Sequence, residues 1–216
     1  MCWRTLSGQL RIGIRNGLYV AIVLLCYVAL KILFRIRVSG RENIKADGEY
    51  IAVARHRSFW DALVLAVGLG VFNRIHFIAR TGLLRGNPLV QPIIRAFSTI
   101  IDRENFGKSD FRRMLVAMKE ERLIGLFPEG TTRRSVDAKA GAIHFAQLTG
   151  KRILPVNIIA TGPYPPQYPF AFPRLRVSIG ESFDVSDLSV DESSEQTRAE
   201  KYQKMSEQLM LRVDNA

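Results

Sequence analysis

Two short segments about 70 residues apart carry the side chains that could do acid–base chemistry. The first, His-Arg-Ser-Phe-Trp-Asp at 56–61, contains an imidazole, His56, followed by a carboxylate, Asp61. The second, Phe-Pro-Glu-Gly-Thr at 127–131, carries Glu129 ahead of a glycine turn. An imidazole titrates near neutral pH, so His56 can take a proton from an alcohol while Asp61 fixes the ring by accepting a hydrogen bond. The pattern therefore indicates activation of a hydroxyl group.

Further blocks in the same order make the pattern specific. They are Phe-Ile-Ala-Arg at 77–80, Ile-Ile-Asp-Arg at 100–103, Lys-Ala-Gly-Ala at 139–142 and Ile-Leu-Pro-Val at 153–156. Together with the first two segments they resemble the glycerolipid acyltransferases, the family of lysophosphatidic acid acyltransferases. One departure is visible, because members commonly read Phe-Pro-Glu-Gly-Thr-Arg-Ser-Arg. Here Thr132 stands at the first arginine position, and Arg134 matches the second.

The resemblance implies the reaction. A fatty acyl group passes from acyl-CoA or acyl-carrier protein to the free hydroxyl of a lysophospholipid, with 1-acylglycerol-3-phosphate as the leading acceptor and phosphatidic acid as the product. His56 would be the general base and Asp61 its orienting carboxylate. Because the acceptor brings its own hydroxyl, a protein nucleophile is not required, and a covalent acyl group on Ser58 is the minor alternative.

The same resemblance implies which residues bind the acceptor. Arginine is suited to bidentate phosphate contact, and Arg103 is the first candidate by its position in the family pattern, ahead of Arg133. Glu129 is expected to bind acceptor hydroxyls or to order the arginines, and Gly130 permits a close backbone approach. The full set of expected substrate contacts is Arg103, Glu129, Gly130, Thr131, Arg134 and Arg80.

Other functions stay open at this point. Thr132 leaves room for a different lysolipid acceptor, such as a lyso-aminolipid. A non-catalytic lipid-binding membrane protein is a second alternative, although such a protein does not need a base with an orienting carboxylate. A hydrolase is a third, and it is disfavoured by the lack of a nucleophile elbow or of metal-ligand spacing.

Composition and charge narrow the partners. The 216 residues carry a formal net charge of +11, which suits an anionic membrane surface or phosphorylated substrates. Nucleic acid is disfavoured, since no zinc-finger spacing or RNP-like aromatic block occurs. The two cysteines, Cys2 and Cys26, both precede the motif region and predict neither a disulfide framework nor a metal cluster. No cofactor and no metal is expected.

An uncharged apolar run at 16–30 predicts membrane attachment. It is short for a spanning helix unless Lys31 extends its ammonium group to the interface. Basic residues flank both ends, so we expect a helix inserted in, or lying along, the cytoplasmic leaflet of the cell inner membrane or its equivalent. A signal peptide and a buried core helix are the alternatives, and no small-residue cleavage site follows the run.

The rest of the chain alternates strand-like and helix-like segments. Strands are predicted at 35–39, 50–54, 75–79, 98–102, 123–127, 153–160 and 174–180, and helices at 61–69, 89–97, 109–122, 139–148 and 192–213. This order predicts an α/β fold, a single layered domain at 35–216 with a largely parallel or mixed sheet flanked by helices, after a membrane-associated segment at 1–34.

Ser109 is the expected N-cap of its helix, the one predicted at 109–122. His76 and His144 are interpreted as structural, and 162–173 as a rigid surface connection or an interfacial loop.

Overall fold

The computed structural model describes residues 3–86, 88–102, 104–128, 140–167, 171–188 and 197–216. For residues 3–12 and 140 it describes the backbone alone. The helices are α1 (Trp3–Leu33), α2 (Trp60–Leu69), α3 (Gln91–Phe97), α4 (Lys108–Glu120), α5 (Ala140–Thr149) and α6 (Arg198–Asp214). The strands are β1 (Arg37–Ser39), β2 (Tyr50–Val53), β3 (His76–Arg80), β4 (Ser98–Ile101), β5 (Leu123–Leu126), β6 (Arg152–Thr161) and β7 (Arg174–Ile179).

The strands form one mixed sheet in the order β1-β7-β6-β2-β5-β3-β4. Adjacent strands are parallel throughout this order except β6 and β7, which are antiparallel. The prediction of a largely parallel or mixed sheet with flanking helices is therefore confirmed. Because β2, β3, β4 and β5 run in the same direction, their carboxyl ends meet at one rim, where ligands bind in open α/β sheets.

The central strands are buried on both faces, which explains their nearly continuous apolar sequences. All four residues of β2 are buried. Tyr50 and Ala52 pack with α1 and α2 on one face, whereas Ile51 and Val53 pack with α4, α5 and α6 on the other. The period of two along a strand thus divides the core into two layers, one on each side of the sheet.

Helix α1 presents two different faces. Tyr19, Val23 and Leu30 are buried against the domain. Its exposed large apolar side chains are Ile14, Leu18, Leu24, Leu25, Val28, Ile32 and Leu33. In the part of the chain that the structure describes, one segment, Gly13–Leu33, is long and apolar enough to cross a membrane by length and composition, and 17% of it is buried. A soluble core helix would be mostly buried, so this helix is only partly covered by protein.

Two predicted helix starts are wrong. Gly107, not Ser109, occupies the N-cap of α4, because the Asp110 side chain reaches back to accept a hydrogen bond from the Gly107 N–H. The last helix begins at Arg198 after an extended Thr197, so the helix predicted at 192–213 is not continuous, and its residues 192–196 lie outside the described residues. Thr197 and Glu200 close that end reciprocally: the Thr197 hydroxyl accepts from the Glu200 N–H, and the Glu200 carboxylate accepts from the Thr197 N–H.

Candidate active site

The turn between β2 and α2 brings the predicted acid–base pair together at the carboxyl rim. His56 follows the end of β2, and Asp61 lies in the first turn of α2. A carboxylate at that position is favoured by the exposed N–H groups and the positive end of the helix dipole. The five-residue spacing seen in the sequence is therefore the length of one tight strand-to-helix turn.

Asp61 is the centre of the hydrogen-bonding cluster. Its Oδ2 lies 3.2 Å from His56 Nδ1, and accepts from the backbone N–H groups of Arg57 at 2.5 Å and Ser58 at 2.6 Å. Its Oδ1 accepts from the hydroxyl of Tyr164. Asp61 is fully buried, so these donors take the place of water around the carboxylate.

The two ring nitrogens of His56 have different surroundings. Because Nδ1 faces a carboxylate, it must carry the proton and donate it, which leaves Nε2 as an acceptor. The side chain is 26% exposed and lines a cavity. The ring also stacks on Phe127, with centroids 4.5 Å apart, and Phe77 stacks behind Phe127 at 6.2 Å. The ring is thus held in one orientation by a hydrogen bond and by packing.

Close packing of this aromatic stack depends on a glycine. A Cβ atom at Gly125 of β5 would lie 2.5 Å from the Phe77 ring and 2.8 Å from Ile75. Only a residue without a side chain lets the Phe77 ring approach the strand this closely. Gly125 therefore helps to set the position of the ring against which Phe127, and through it His56, is packed.

A cavity of about 900 Å³ opens beside His56. It extends between α1, α2, β3 and α3, and also reaches α4 and α5. Most of its lining is apolar or aromatic, including Tyr19, Val23, Ala66, Phe97, Phe106 and Phe145. Such a cavity suits a long hydrocarbon chain, and His56 is one of its lining residues.

The structure locates one of the predicted acceptor contacts. Arg80 ends β3 at the carboxyl rim, is exposed and lines the same cavity as His56. The other five, Arg103, Glu129, Gly130, Thr131 and Arg134, lie outside the described residues. Their described neighbours lie at the same rim: Asp102 directly follows β4, and Pro128 comes two residues after the end of β5.

Two contributors to the site were not anticipated from the sequence. Tyr164 lies 103 positions from Asp61, in the loop that we interpreted as a surface connection or an interfacial segment. Instead its ring is partly buried against the core. The aromatic stack beneath His56 was also not anticipated. Like Tyr164 and Asp61, the residues Phe77, Phe127 and His56 are far apart in the chain, and no sequence spacing connects them.

The two remaining residues under discussion, Ser58 and His144, have structural contacts. Ser58 is buried, and its hydroxyl accepts a hydrogen bond from the Trp60 N–H at 3.3 Å. His144 packs near the rings of Phe111 and Phe145 on α4 and α5. Within the described ranges, no group of three or more His, Cys, Asp or Glu residues is arranged to hold a metal ion.

Comparison with known proteins identifies the family. The model of the acyltransferase family matches residues 35–159. A 1-acyl-sn-glycerol-3-phosphate acyltransferase from Bacillus subtilis is 28% identical over 179 residues, covering 81% of this chain and 88% of that protein. The protein of the same name from Streptococcus pneumoniae is 32% identical over 143 residues, or 66% of this chain and 53% of the relative.

A solved structure matches as well. The 1-acyl-sn-glycerophosphate (LPA) acyltransferase PlsC from Thermotoga maritima superposes with a TM-score of 0.68 at 27% identity, covering 95% of this chain and 80% of that one. The family model alone spans more than half of the sequence, from β1 into β6. This chain therefore belongs to the acyltransferase family and is an acyltransferase enzyme.

Proposed function

We propose that the protein transfers a fatty acyl group from a thioester donor to the free hydroxyl of 1-acylglycerol-3-phosphate, forming phosphatidic acid. The observation that carries the proposal is His56, whose Nδ1 faces a buried carboxylate while the ring lines an apolar cavity of about 900 Å³. The names of the Bacillus subtilis relative and the Thermotoga maritima structure support the same acceptor.

The steps follow from that geometry. His56 Nε2 takes the proton of the acceptor hydroxyl as its oxygen attacks the thioester carbonyl carbon. Asp61 stabilises the imidazolium that forms, without itself taking the proton. The tetrahedral intermediate collapses, the C–S bond breaks, and the thiolate leaves and receives the proton from the imidazolium. Backbone N–H groups are suited to stabilise the transient oxyanion.

The cavity supports a fatty acyl chain as the transferred group. Each buried CH₂ contributes about 0.8 kcal/mol, so a chain inside an apolar cavity gains enough to position its carbonyl end. The lining extends from α1 and α2 to Phe59 and His56. We place the thioester carbonyl at the His56 end, where the acceptor hydroxyl meets it. Both acyl-CoA and acyl-carrier protein present such a thioester.

Arginines at the carboxyl rim are proposed to bind the acceptor phosphate. Arg80 is exposed at the cavity, next to the apolar lining that ends at His56. Arg103 and Arg134 join it in the proposal on the family pattern, with Glu129, Gly130 and Thr131 contacting the glycerol part. A guanidinium fork matches phosphate geometry, which is why arginine is the expected partner.

The N-terminal segment at 1–34 is proposed to hold the domain at 35–216 on the cytoplasmic face of the membrane. The apolar side of α1 exposes large side chains that in a water-soluble helix mostly face a core, which supports attachment to a membrane. Membrane insertion would cover that side and place the mouth of the cavity close to the lipids that supply the acceptor. Anionic head groups would meet flanking arginines such as Arg35 and Arg37.

Product analysis tests the proposed reaction. Purified protein in detergent receives labelled acyl-CoA or acyl-carrier protein and a panel of lysolipids that includes a lyso-aminolipid, with His56→Ala as the blank. We expect phosphatidic acid from 1-acylglycerol-3-phosphate and no product from the blank. Efficient acylation of another lysolipid, with 1-acylglycerol-3-phosphate left unused, would overturn the acceptor assignment. Bound lipid without turnover would instead favour a lipid-binding protein.

Kinetics of arginine variants test the phosphate contacts. Arg80→Ala and Arg103→Ala should raise the acceptor KM roughly tenfold to a hundredfold and leave the donor KM nearly unchanged, since a charge-assisted hydrogen bond is lost. Arg176→Ala, an exposed arginine in β7 away from the cavity lining, is the matched control. If the donor KM rises instead, the arginines bind the phosphates of the acyl carrier.

A further inference from the structure

The loop after β6 sends one side chain back to the candidate active site. Tyr164 is partly buried against the core, and its hydroxyl donates a hydrogen bond to Asp61 Oδ1. The other carboxylate oxygen, Oδ2, already has three donors: His56 Nδ1 and the N–H groups of Arg57 and Ser58. Tyr164 is thus the partner of the oxygen that neither the histidine nor the turn reaches.

We propose that Tyr164 is a positioning residue that holds the Asp61 carboxylate in the rotation needed to orient the imidazole of His56. This inference rests on the proposed function, because it assigns Tyr164 a role only through the base. Tyr164 would touch neither the donor nor the acceptor.

Burial makes the hydroxyl necessary. Asp61 is fully buried, so water cannot replace a lost donor at Oδ1. A buried acceptor without a partner is costly, and the carboxylate relieves that cost either by rotating to find another donor or by binding a proton. Both responses disturb the contact between Oδ2 and His56 Nδ1. The histidine then loses the acceptor that selects the tautomer with the proton on Nδ1.

The phenol keeps its proton and donates a hydrogen bond to Asp61. Burial, the hydrogen bond to Asp61 and the charge of that carboxylate raise the pKa of Tyr164 far above its usual value, although the Arg57 charge and a hydrogen bond with the Ser58 side chain act in the opposite direction on that pKa. The hydroxyl therefore keeps its proton at any pH at which the enzyme works. Among the described residues that line the cavity, Tyr164 does not occur. Direct proton exchange with substrate is thus disfavoured.

Arg57 fixes Tyr164 from the same turn. Its guanidinium lies over the Tyr164 ring, 5.3 Å from the centroid, and donates to the carbonyl oxygen of Ile158 in β6. Its backbone N–H donates to Asp61. One residue thus connects the phenol ring, the sheet and the carboxylate, so the donor arrives at Asp61 already oriented.

The first test is a rate measurement on Tyr164→Phe. This change keeps the ring that packs on Arg57 and removes only the hydroxyl. We expect kcat to fall about tenfold, because a hydrogen bond to a charged group is lost. The KM of each substrate should stay within about twofold. Tyr202→Phe is the matched control, because it removes a phenol that donates to Gln147 on the far side of the sheet. Melting temperatures establish that both variants are folded.

The second test reads the imidazole itself. The chain has three histidines, so ¹⁵N-histidine labelling gives few ring signals, and His76→Gln and His144→Gln variants assign them. We expect His56 to carry its proton on Nδ1 in the wild type and in Tyr202→Phe, and to shift towards the Nε2–H tautomer in Tyr164→Phe. A His56 tautomer that does not change in Tyr164→Phe overturns the proposal whatever the rate. A changed tautomer with unaltered kcat overturns it as well.

His56→Ala separates this inference from the proposed function. If His56→Ala is inactive and Tyr164→Phe behaves as wild type, the positioning role fails and the base assignment stands. If His56→Ala remains active, the base assignment fails, and the positioning role fails with it because there is no base to orient.

Discussion

Two histidines of this chain lie beside a carboxylate, one at each rim of the sheet. At the carboxyl rim, His56 Nδ1 is 3.2 Å from Asp61. At the amino rim, His76 Nδ1 is 3.8 Å from Glu121, just before β5. Both pairs combine an imidazole with a carboxylate, but the surroundings differ. His56 lines a cavity and Asp61 receives uncharged donors, whereas Glu121 also pairs with Arg74 at 2.8 Å and Arg15 at 3.2 Å.

The difference teaches that partners decide the role of a histidine–carboxylate pair. Burial, with help from Arg15 and Arg74 and against the pull of Glu121, lowers the pKa of His76 and makes its imidazole a weaker base. The His76 side chain also does not line the cavity of the candidate active site. Its Nε2 lies 2.9 Å from the Thr99 hydroxyl, a structural contact between β3 and β4. Arg15 belongs to α1, so the cluster around Glu121 attaches the N-terminal helix to the domain.

The largest expected effect separates the two histidines by rate. His56→Ala should lower kcat by roughly 10²–10⁴-fold, the contribution of a positioned base. His76→Gln should leave kcat per folded molecule within about threefold. The measurement is turnover at saturating substrates, with folded protein quantified by circular dichroism. A wild-type rate for His56→Ala, or a comparable loss for both variants, would remove the distinction.

The carboxylates should show the same contrast. Asp61→Asn replaces an acceptor with an amide that can present a donor to the imidazole, so we expect kcat to fall on the order of 100-fold or more with substrate affinity retained. Substrate binding measured beside the rate checks this. Normal turnover at saturation with lost affinity would instead make Asp61 a substrate ligand.

Glu121→Gln makes the equivalent change at the amino rim, and there we expect a loss of stability. Removal of the charge leaves Arg15 and Arg74 without their common partner, which costs about 2 kcal/mol in the free energy of unfolding. The rate per folded molecule should not change. Denaturant unfolding and a rate assay of the same preparation measure both. A normal free energy of unfolding would show that the cluster does not attach α1.

His76 should also make stability depend on pH. Its pKa in the folded protein is below the value of 6.5 for an exposed histidine, so the unfolded chain binds more protons between these two values. Its contribution is therefore fully present above about pH 6.5 and is lost as the pH falls, by up to about 1.4 kcal/mol per pH unit. Unfolding of wild type and His76→Gln between about pH 5 and pH 8 checks the sign. If the free energy of unfolding depends on pH with the same slope in both proteins, the prediction is contradicted.

The smallest expected effect concerns the stack beneath His56. Phe127→Leu keeps most of the volume but removes the ring 4.5 Å from the imidazole, so kcat should fall a few-fold, equivalent to roughly 0.5–1.5 kcal/mol. Phe111→Leu is the control, because its ring is stacked on Phe145 at 5.7 Å in another part of the core. Equal rates for the two variants would show that the hydrogen bond to Asp61, and not the aromatic stack, orients His56.

Local pattern was sufficient for much of the fold. Each of the seven strands was anticipated within about two residues, because buried parallel strands read as short apolar runs with turn residues between them. The start of α4 was not anticipated. Its N-cap depends on Asp110, whose carboxylate accepts hydrogen bonds from the N–H of Gly107 and from the N–H of Asp102, the residue after β4. The helix start is thus set partly by a contact outside the helix.

The sequence by itself determined the turn that pairs His56 with Asp61, because those residues are five apart and one strand-to-helix turn brings them together. It also determined the family, through motifs in a fixed order. Only the tertiary structure decided which histidine–carboxylate pair faces a cavity, and that Tyr164 and Phe127 complete the environment of His56. Those contacts join residues 71 to 103 positions apart in the chain, and such distances are closed by the packing of the sheet and not by any local spacing.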